Sequence, residues 1–156
     1  MKKQITTDYE VLTPSELTPA EQQLVDLASR ATFRSYAPYS NFRVGAAIRL
    51  SDGAIVTGAN QENVAYPSGT CAERTACFYA HAEHPDARFE AIAIAARGTD
   101  GQPLADPISP CGACRQSLMQ YEVLAGSPVE VLLVGRDTIY RLPSIRSLLP
   151  FAFTSL

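Results

Sequence analysis

The chain has 156 residues, 46% hydrophobic and 19% charged, with a formal net charge of −3. That size suits one domain around one core, and the balance is that of an ordinary globular protein. No apolar run approaches the length of a membrane span. The thirteen Lys and Arg are scattered rather than gathered into a stripe, which argues against an extended nucleic-acid interface.

Met1-Lys2-Lys3 has no apolar stretch behind it, so no signal peptide is read and a cytoplasmic location is expected. Residues 1–16 are polar and unpatterned. They are expected to form a flexible N-terminal arm, with residues 17–156 as a single domain. Thr18-Pro19-Ala20-Glu21 reads as a helix start: Thr18 caps, Pro19 fits the first helical position, and Glu21 completes a capping box. Leu24, Leu27, Ala28 and Ala31 carry the helix to about Ser35. Tyr36 to Asn41 reads as a loop. Val44–Leu50 and Ala54–Ala59 read as strands joined by a Ser51-Asp52-Gly53 hairpin turn. Asn60 to Thr70 is an irregular loop.

A second helix is expected over Cys71–His84, ended by Pro85, followed by an apolar strand over Phe89–Ala96. Gly98 to Ile108 is a loop. A third helix covers Cys111–Tyr121, Val129–Val134 is a buried strand, Thr138–Leu142 a shorter one, and a brief helix follows from Pro143. The pattern predicts an α/β fold of three layers, α/β/α, on a five-stranded mixed sheet. The first hairpin is antiparallel and the later crossovers are parallel.

The chemistry concentrates in Cys71-Ala72-Glu73 and Pro110-Cys111-Gly112-Ala113-Cys114. Cys111 and Cys114 stand three apart at a helix start, so both sulfurs share one face. Cys71 also opens a helix, and helix N-termini favour thiolates. Three thiolates leave the fourth tetrahedral position of a Zn2+ ion open, as in catalytic rather than structural sites. That position can take water and lower its pKa, with Glu73 as the adjacent proton shuttle. Three thiolates on Zn2+ carry a net −1, so positive charge should offset them. Arg74 and the two helix dipoles are candidates, and Gln116 is a candidate hydrogen-bond donor to a ligand sulfur. Alone, Arg74 would be a surface salt-bridge residue and Gln116 a solvated one. Cys-Gly-Ala-Cys alone would equally suit a redox pair or half of a structural zinc site. Cys77 reads as a core thiol, and His81 and His84 as surface residues.

At these residues the chain resembles the cytidine deaminase family, in its small, three-cysteine, homotetrameric branch. The match spans roughly residues 30–153. It rests on Tyr36-Ala37-Pro38-Tyr39-Ser40-Asn41-Phe42-Arg43-Val44-Gly45-Ala46-Ala47, Asn60-Gln61-Glu62-Asn63, Cys71-Ala72-Glu73-Arg74-Thr75-Ala76, Pro110-Cys111-Gly112-Ala113-Cys114-Arg115-Gln116 and Leu148-Leu149-Pro150-Phe151-Ala152-Phe153. The resemblance implies one Zn2+ per chain on Cys71, Cys111 and Cys114, with Glu73 as proton shuttle. It assigns Asn60 and Glu62 to the ribose hydroxyls, Phe42 to sugar and base, the backbone of Ala72 and Ser109 to the base edge, and Phe153, from a neighbouring subunit, to stacking near the base. It implies deamination of cytidine and deoxycytidine in pyrimidine salvage, by a homotetramer with shared active sites. Ala59 and Gln61 depart from the family pattern, and the loop over residues 98–107 is longer than usual. Other readings are a deaminase of another cytosine-bearing compound, such as a blasticidin-type antibiotic, a nucleic-acid editing deaminase, and a non-catalytic zinc module. The last leaves Glu73 without a purpose.

Overall fold

The structure, a computed structural model, describes residues 1–155; Leu156, the last residue of the expected domain, lies outside the described residues. Its strands are β1 (Glu10–Leu12), β2 (Arg43–Leu50), β3 (Ile55–Ala59), β4 (Phe89–Arg97), β5 (Glu130–Val134) and β6 (Ile139–Leu142). Its helices are α1 (Pro19–Ala31), α2 (Ala72–Glu83) and α3 (Gly112–Ala125), and a 3-10 turn covers Ile145–Leu148 where a brief helix was expected.

The capping box of α1 forms as its sequence dictates: Thr18 Oγ1 accepts from Glu21 N at 3.3 Å and Thr18 N donates to Glu21 Oε2 at 2.7 Å. The helix stops at Ala31, short of Ser35, and a 3-10 turn takes Thr32–Arg34. Thr32 is the cause. Its hydroxyl donates back to Ser29 O at 2.6 Å and accepts from Arg97 Nε at 2.9 Å, competing with continued helix. Helix α3 runs past Tyr121 to Ala125, where Gly126 ends it in the left-handed conformation at φ 65°.

The strands form one mixed sheet in the order β1-β6-β5-β4-β2-β3. It has six strands, not five. The extra strand comes from within residues 1–16, because β6 would otherwise present an unpaired edge. Glu10, Val11 and Leu12 pair with Arg141, Tyr140 and Ile139, and Arg141 bridges Glu10 and the buried Glu21. Only β4 and β5 pair in parallel; the other pairings are antiparallel.

β4 sorts the two cores. Ala91, Ala93 and Ala95 face α1, with Leu24, Val25, Ala28 and Leu132. Ile92 and Ile94 face α2 and α3, with Ile48, Ala76, Leu118 and Met119. All are buried, and each fully buried large aliphatic side chain contributes about 1.5–3 kcal/mol. Strand direction places the site. β3 and β4 are both antiparallel to β2, and β5 is parallel to β4. Helices α2 and α3 therefore both begin at the same end of the sheet, beyond the C-termini of β3 and β4.

Helix α2 sits close on β3 because Gly58 has no side chain. A Cβ there would lie 2.5 Å from Ala76 N and 2.6 Å from Ala72 O. Gly58→Ala should therefore push the first turn of α2 outward, destabilising the fold by about 2–3 kcal/mol and lowering metal content. Gly112→Ala, where nothing lies within 4 Å of the added atom, should keep wild-type stability. Thermal denaturation and metal analysis of the two variants check this pair of outcomes.

Candidate metal centre and active site

Cys71 is the N-cap of α2, and Cys111 that of α3. Cys114 lies in the first turn of α3. An N-cap normally turns its side chain back onto its own helix, but neither cysteine makes such a bond. Instead the sulfurs of Cys71, Cys111 and Cys114 converge within 4.8 Å of one another. All are free thiols. Among the described residues this is the only cluster of His, Cys, Asp and Glu able to hold a metal ion.

Charge at the cluster is already organised. The hydrogen bond from the Cys114 thiol pulls Cys71 down to about 5, and Arg74, with Nη2 3.8 Å from the Cys71 sulfur, adds to it. Cys114 moves up for the converse reason, its proton being held on Cys71, and its burial adds to the rise. Cys77 stands apart: fully buried, it points its sulfur at Arg74 O, and burial pushes its thiol up to about 12. It is a core thiol, as its position suggested.

The donor set fits zinc. Tetrahedral Zn–S bonds of about 2.3 Å place sulfurs about 3.8 Å apart, within the spread of these three. Thiolates are soft ligands that Zn2+ prefers, and two helix N-termini offset their charge. Three donors leave one tetrahedral position for water or substrate.

A cavity of about 490 Å³ opens beside the cluster. Phe42, Asn60, Glu62, Ala72, Glu73, Arg74 and Ser109 line it, with Cys71 and Cys111. Glu73 is 4% exposed, and burial raises its carboxyl above the usual range. A smaller cavity of about 210 Å³, between α1 and the loop after β4, holds none of these residues.

Asn60 and Glu62 are held by their own chain. Asn60 Oδ1 accepts from Ser35 Oγ at 2.6 Å and Val44 N at 2.8 Å, while Nδ2 donates to Phe42 O at 3.0 Å. Val44 N is only a donor, so the amide orientation is fixed and one Nδ2–H is left over. Glu62 Oε2 accepts from Tyr39 N at 2.8 Å and Ser40 N at 3.3 Å, and Oε1 accepts from Ser40 Oγ. The Ser40 hydroxyl is the main cause that holds this carboxyl below its usual range.

One position differs from expectation. Gln116 does not reach a sulfur. Two residues beyond Cys114 it points about 200° around the helix, and its amide pairs with the backbone of Phe153, Nε2 to O at 2.7 Å and Oε1 from N at 3.3 Å. Phe153, 64% exposed, does not line the cavity of its own chain. Sequence reading also passed over Tyr39 and Tyr66, an edge-on aromatic pair 5.9 Å apart at the mouth. It passed over Arg115 too, whose guanidinium ties Pro110 O to Leu148 O at 2.8 Å each. Tyr66 is distant in sequence from Tyr39, and Leu148 lies 33 residues from Arg115, so neither pairing shows in a local pattern.

Three converging thiols beside a buried carboxyl, on an α/β/α sandwich, suit a metal-dependent hydrolase. Comparison with known proteins narrows this. The family described as the cytidine and deoxycytidylate deaminase zinc-binding region matches residues 18–125. A cytidine deaminase of Halalkalibacterium halodurans is 38% identical over 134 residues, 86% of this chain and 94% of that protein. One from Mycobacterium tuberculosis is 39% identical over 111 residues, 69% and 78% of the two chains. The crystal structure of the Burkholderia pseudomallei cytidine deaminase superposes with a TM-score of 0.71 at 39% identity, covering 88% of this chain and all of that one. The chain belongs to the cytidine deaminase family, and its metal is a single Zn2+.

Cys114→Ser should lose zinc stoichiometrically while Cys77→Ser keeps it. Arg74→Ala should keep the ion but weaken its affinity about 10–100-fold. Competition against a chelator with a zinc-responsive dye measures all three.

Proposed function

We propose that the protein hydrolyses cytidine and deoxycytidine to uridine and deoxyuridine, releasing ammonia. The observation that carries this reading is the buried Glu73 carboxyl facing the cavity beside the three-sulfur cluster. Zinc, when held by Cys71, Cys111 and Cys114, supplies a Lewis acid that makes water a nucleophile near neutral pH. Glu73 would take a proton from the attacking water and pass it to ring N3 as oxygen adds to C4. It then takes the remaining proton from the new C4 hydroxyl and delivers it to the amino group, so that the C4–N bond breaks, ammonia leaves and the C4 carbonyl of the uracil ring forms. A carboxyl raised by burial suits a group that must both take and give a proton. Arg74 offsets thiolate charge at Cys71.

The sugar side rests on complementary valences. Asn60 has one N–H to give, and Glu62 Oε1 has one acceptor site left. A hydroxyl group both accepts and donates, so it satisfies both residues at once, whereas a phosphate at that position meets a carboxylate. Free nucleosides are therefore the substrates, and nucleic acid is not. Phe42 packs against sugar and base, and the backbone of Ala72 and Ser109 reads the base edge, all three lining this cavity with Glu62.

The protein works as a homotetramer with shared sites, residues 17–156 being the deaminase domain and residues 1–16 its arm. Phe153, exposed and outside its own cavity, stacks on the base bound by a neighbour. Phe78, Tyr79 and Leu124 leave apolar surface exposed on α2 and α3, which association covers. None of the described helices is long and apolar enough to cross a membrane, and a cytoplasmic role in pyrimidine salvage fits.

Ultraviolet absorbance of zinc-loaded protein should show loss of the cytosine band with cytidine and deoxycytidine, and none with CMP or a cytosine-containing oligonucleotide. Glu73→Gln should keep fold and zinc while kcat falls by about 10²–10⁴-fold. No change with either nucleoside would exclude the reading.

A further inference from the structure

We propose that Ser40 is the positioning residue that aims the Glu62 carboxylate at the substrate's sugar, an inference that rests on the sugar-side reading above. Three donors occupy Glu62. The amides of Tyr39 and Ser40 fill both acceptor sites of Oε2. The Ser40 hydroxyl takes one of the two sites on Oε1, leaving the other as the carboxylate's one outward acceptor.

The direction of that outward site is set by Ser40. Two amides on Oε2 anchor one oxygen, and the hydroxyl on Oε1 stops the carboxylate from turning about its last bond. Ser40 itself has no freedom to withdraw. Its oxygen accepts from Phe42 N at 3.1 Å, so its own proton is committed to Glu62.

The backbone builds this arrangement deliberately. Asn41 adopts φ 55°, a left-handed conformation that Asn tolerates better than most residues. Its N–H closes onto Ala37 O at 3.0 Å. That turn points the consecutive amides of Tyr39 and Ser40 at one carboxylate, an anion-holding concavity. Without the hydroxyl the amides still hold Glu62 in the loop but no longer fix Oε1.

Ser40 differs from a merely structural loop residue in that its effect depends on the group the substrate presents to Oε1. Zinc-loaded wild type, Ser40→Ala and Ser40→Thr are assayed on deoxycytidine and on its 2′,3′-dideoxy counterpart, with zinc content and melting temperature measured on each protein. For Ser40→Ala the expected result is a KM for deoxycytidine raised roughly tenfold with kcat changed less than about twofold. On the dideoxy substrate its kcat/KM should match wild type, Ser40→Thr should restore the deoxycytidine KM, and zinc content and melting temperature should be unchanged. An equal loss on both substrates, no loss on either, or a Ser40→Ala protein that loses zinc or stability overturns the proposal. Failure of the wild type to turn over either nucleoside is a different outcome: it removes the deaminase reading, and the proposal with it.

Discussion

Two helix N-termini meeting at one end of the sheet are the constraint on which the rest depends. Strand directions around β2 force α2 and α3 to start side by side, and each start is capped by a cysteine that leaves its own helix uncapped. Gathering thiolates within 4.8 Å of one another is unfavourable in itself. Each helix end offers about half a positive charge, Arg74 adds a whole one at Cys71, and a divalent ion more than offsets the charge that remains. Glu73 follows from the same geometry: two residues from the Cys71 cap, it is carried into the cavity wall by the first turn of α2.

The opposite wall is built on a different plan. Where the metal side uses helix ends, the proposed sugar side uses irregular backbone whose side chains are largely occupied by their own chain. Asn60 spends its oxygen on Ser35 and Val44 and one amide hydrogen on Phe42; Glu62 spends three acceptor sites on Tyr39 and Ser40. What remains is one donor on Asn60 and one acceptor site on Glu62. In the proposed function, specificity comes from what the loop has already consumed as much as from which residues it contains.

Local signals made the metal side legible in the sequence. Cys111 and Cys114 at helical spacing, Cys71 before a helix, and Glu73 two residues on are all short-range patterns, and the capping box of α1 is another. Features set by distant partners were not legible. Gln116 looked like a sulfur ligand's neighbour because the tail backbone at Phe153 that it pairs with lies 37 residues away. Residues 1–16 looked loose because β1 exists only by pairing with β6, and the Glu10–Arg141 contact spans 131 residues. Ser40 read as a loop residue because its partner, Glu62, sits 22 residues on.

X-ray absorption at the zinc edge of the loaded wild-type protein tests the central claim most directly, since it reports the ligands themselves. The account predicts three sulfurs at about 2.3 Å and one light-atom neighbour, which is the signature of an open, reactive position. Four sulfurs, or two sulfurs with nitrogen, would contradict it and mark the cluster as a closed structural site or a different ligand set.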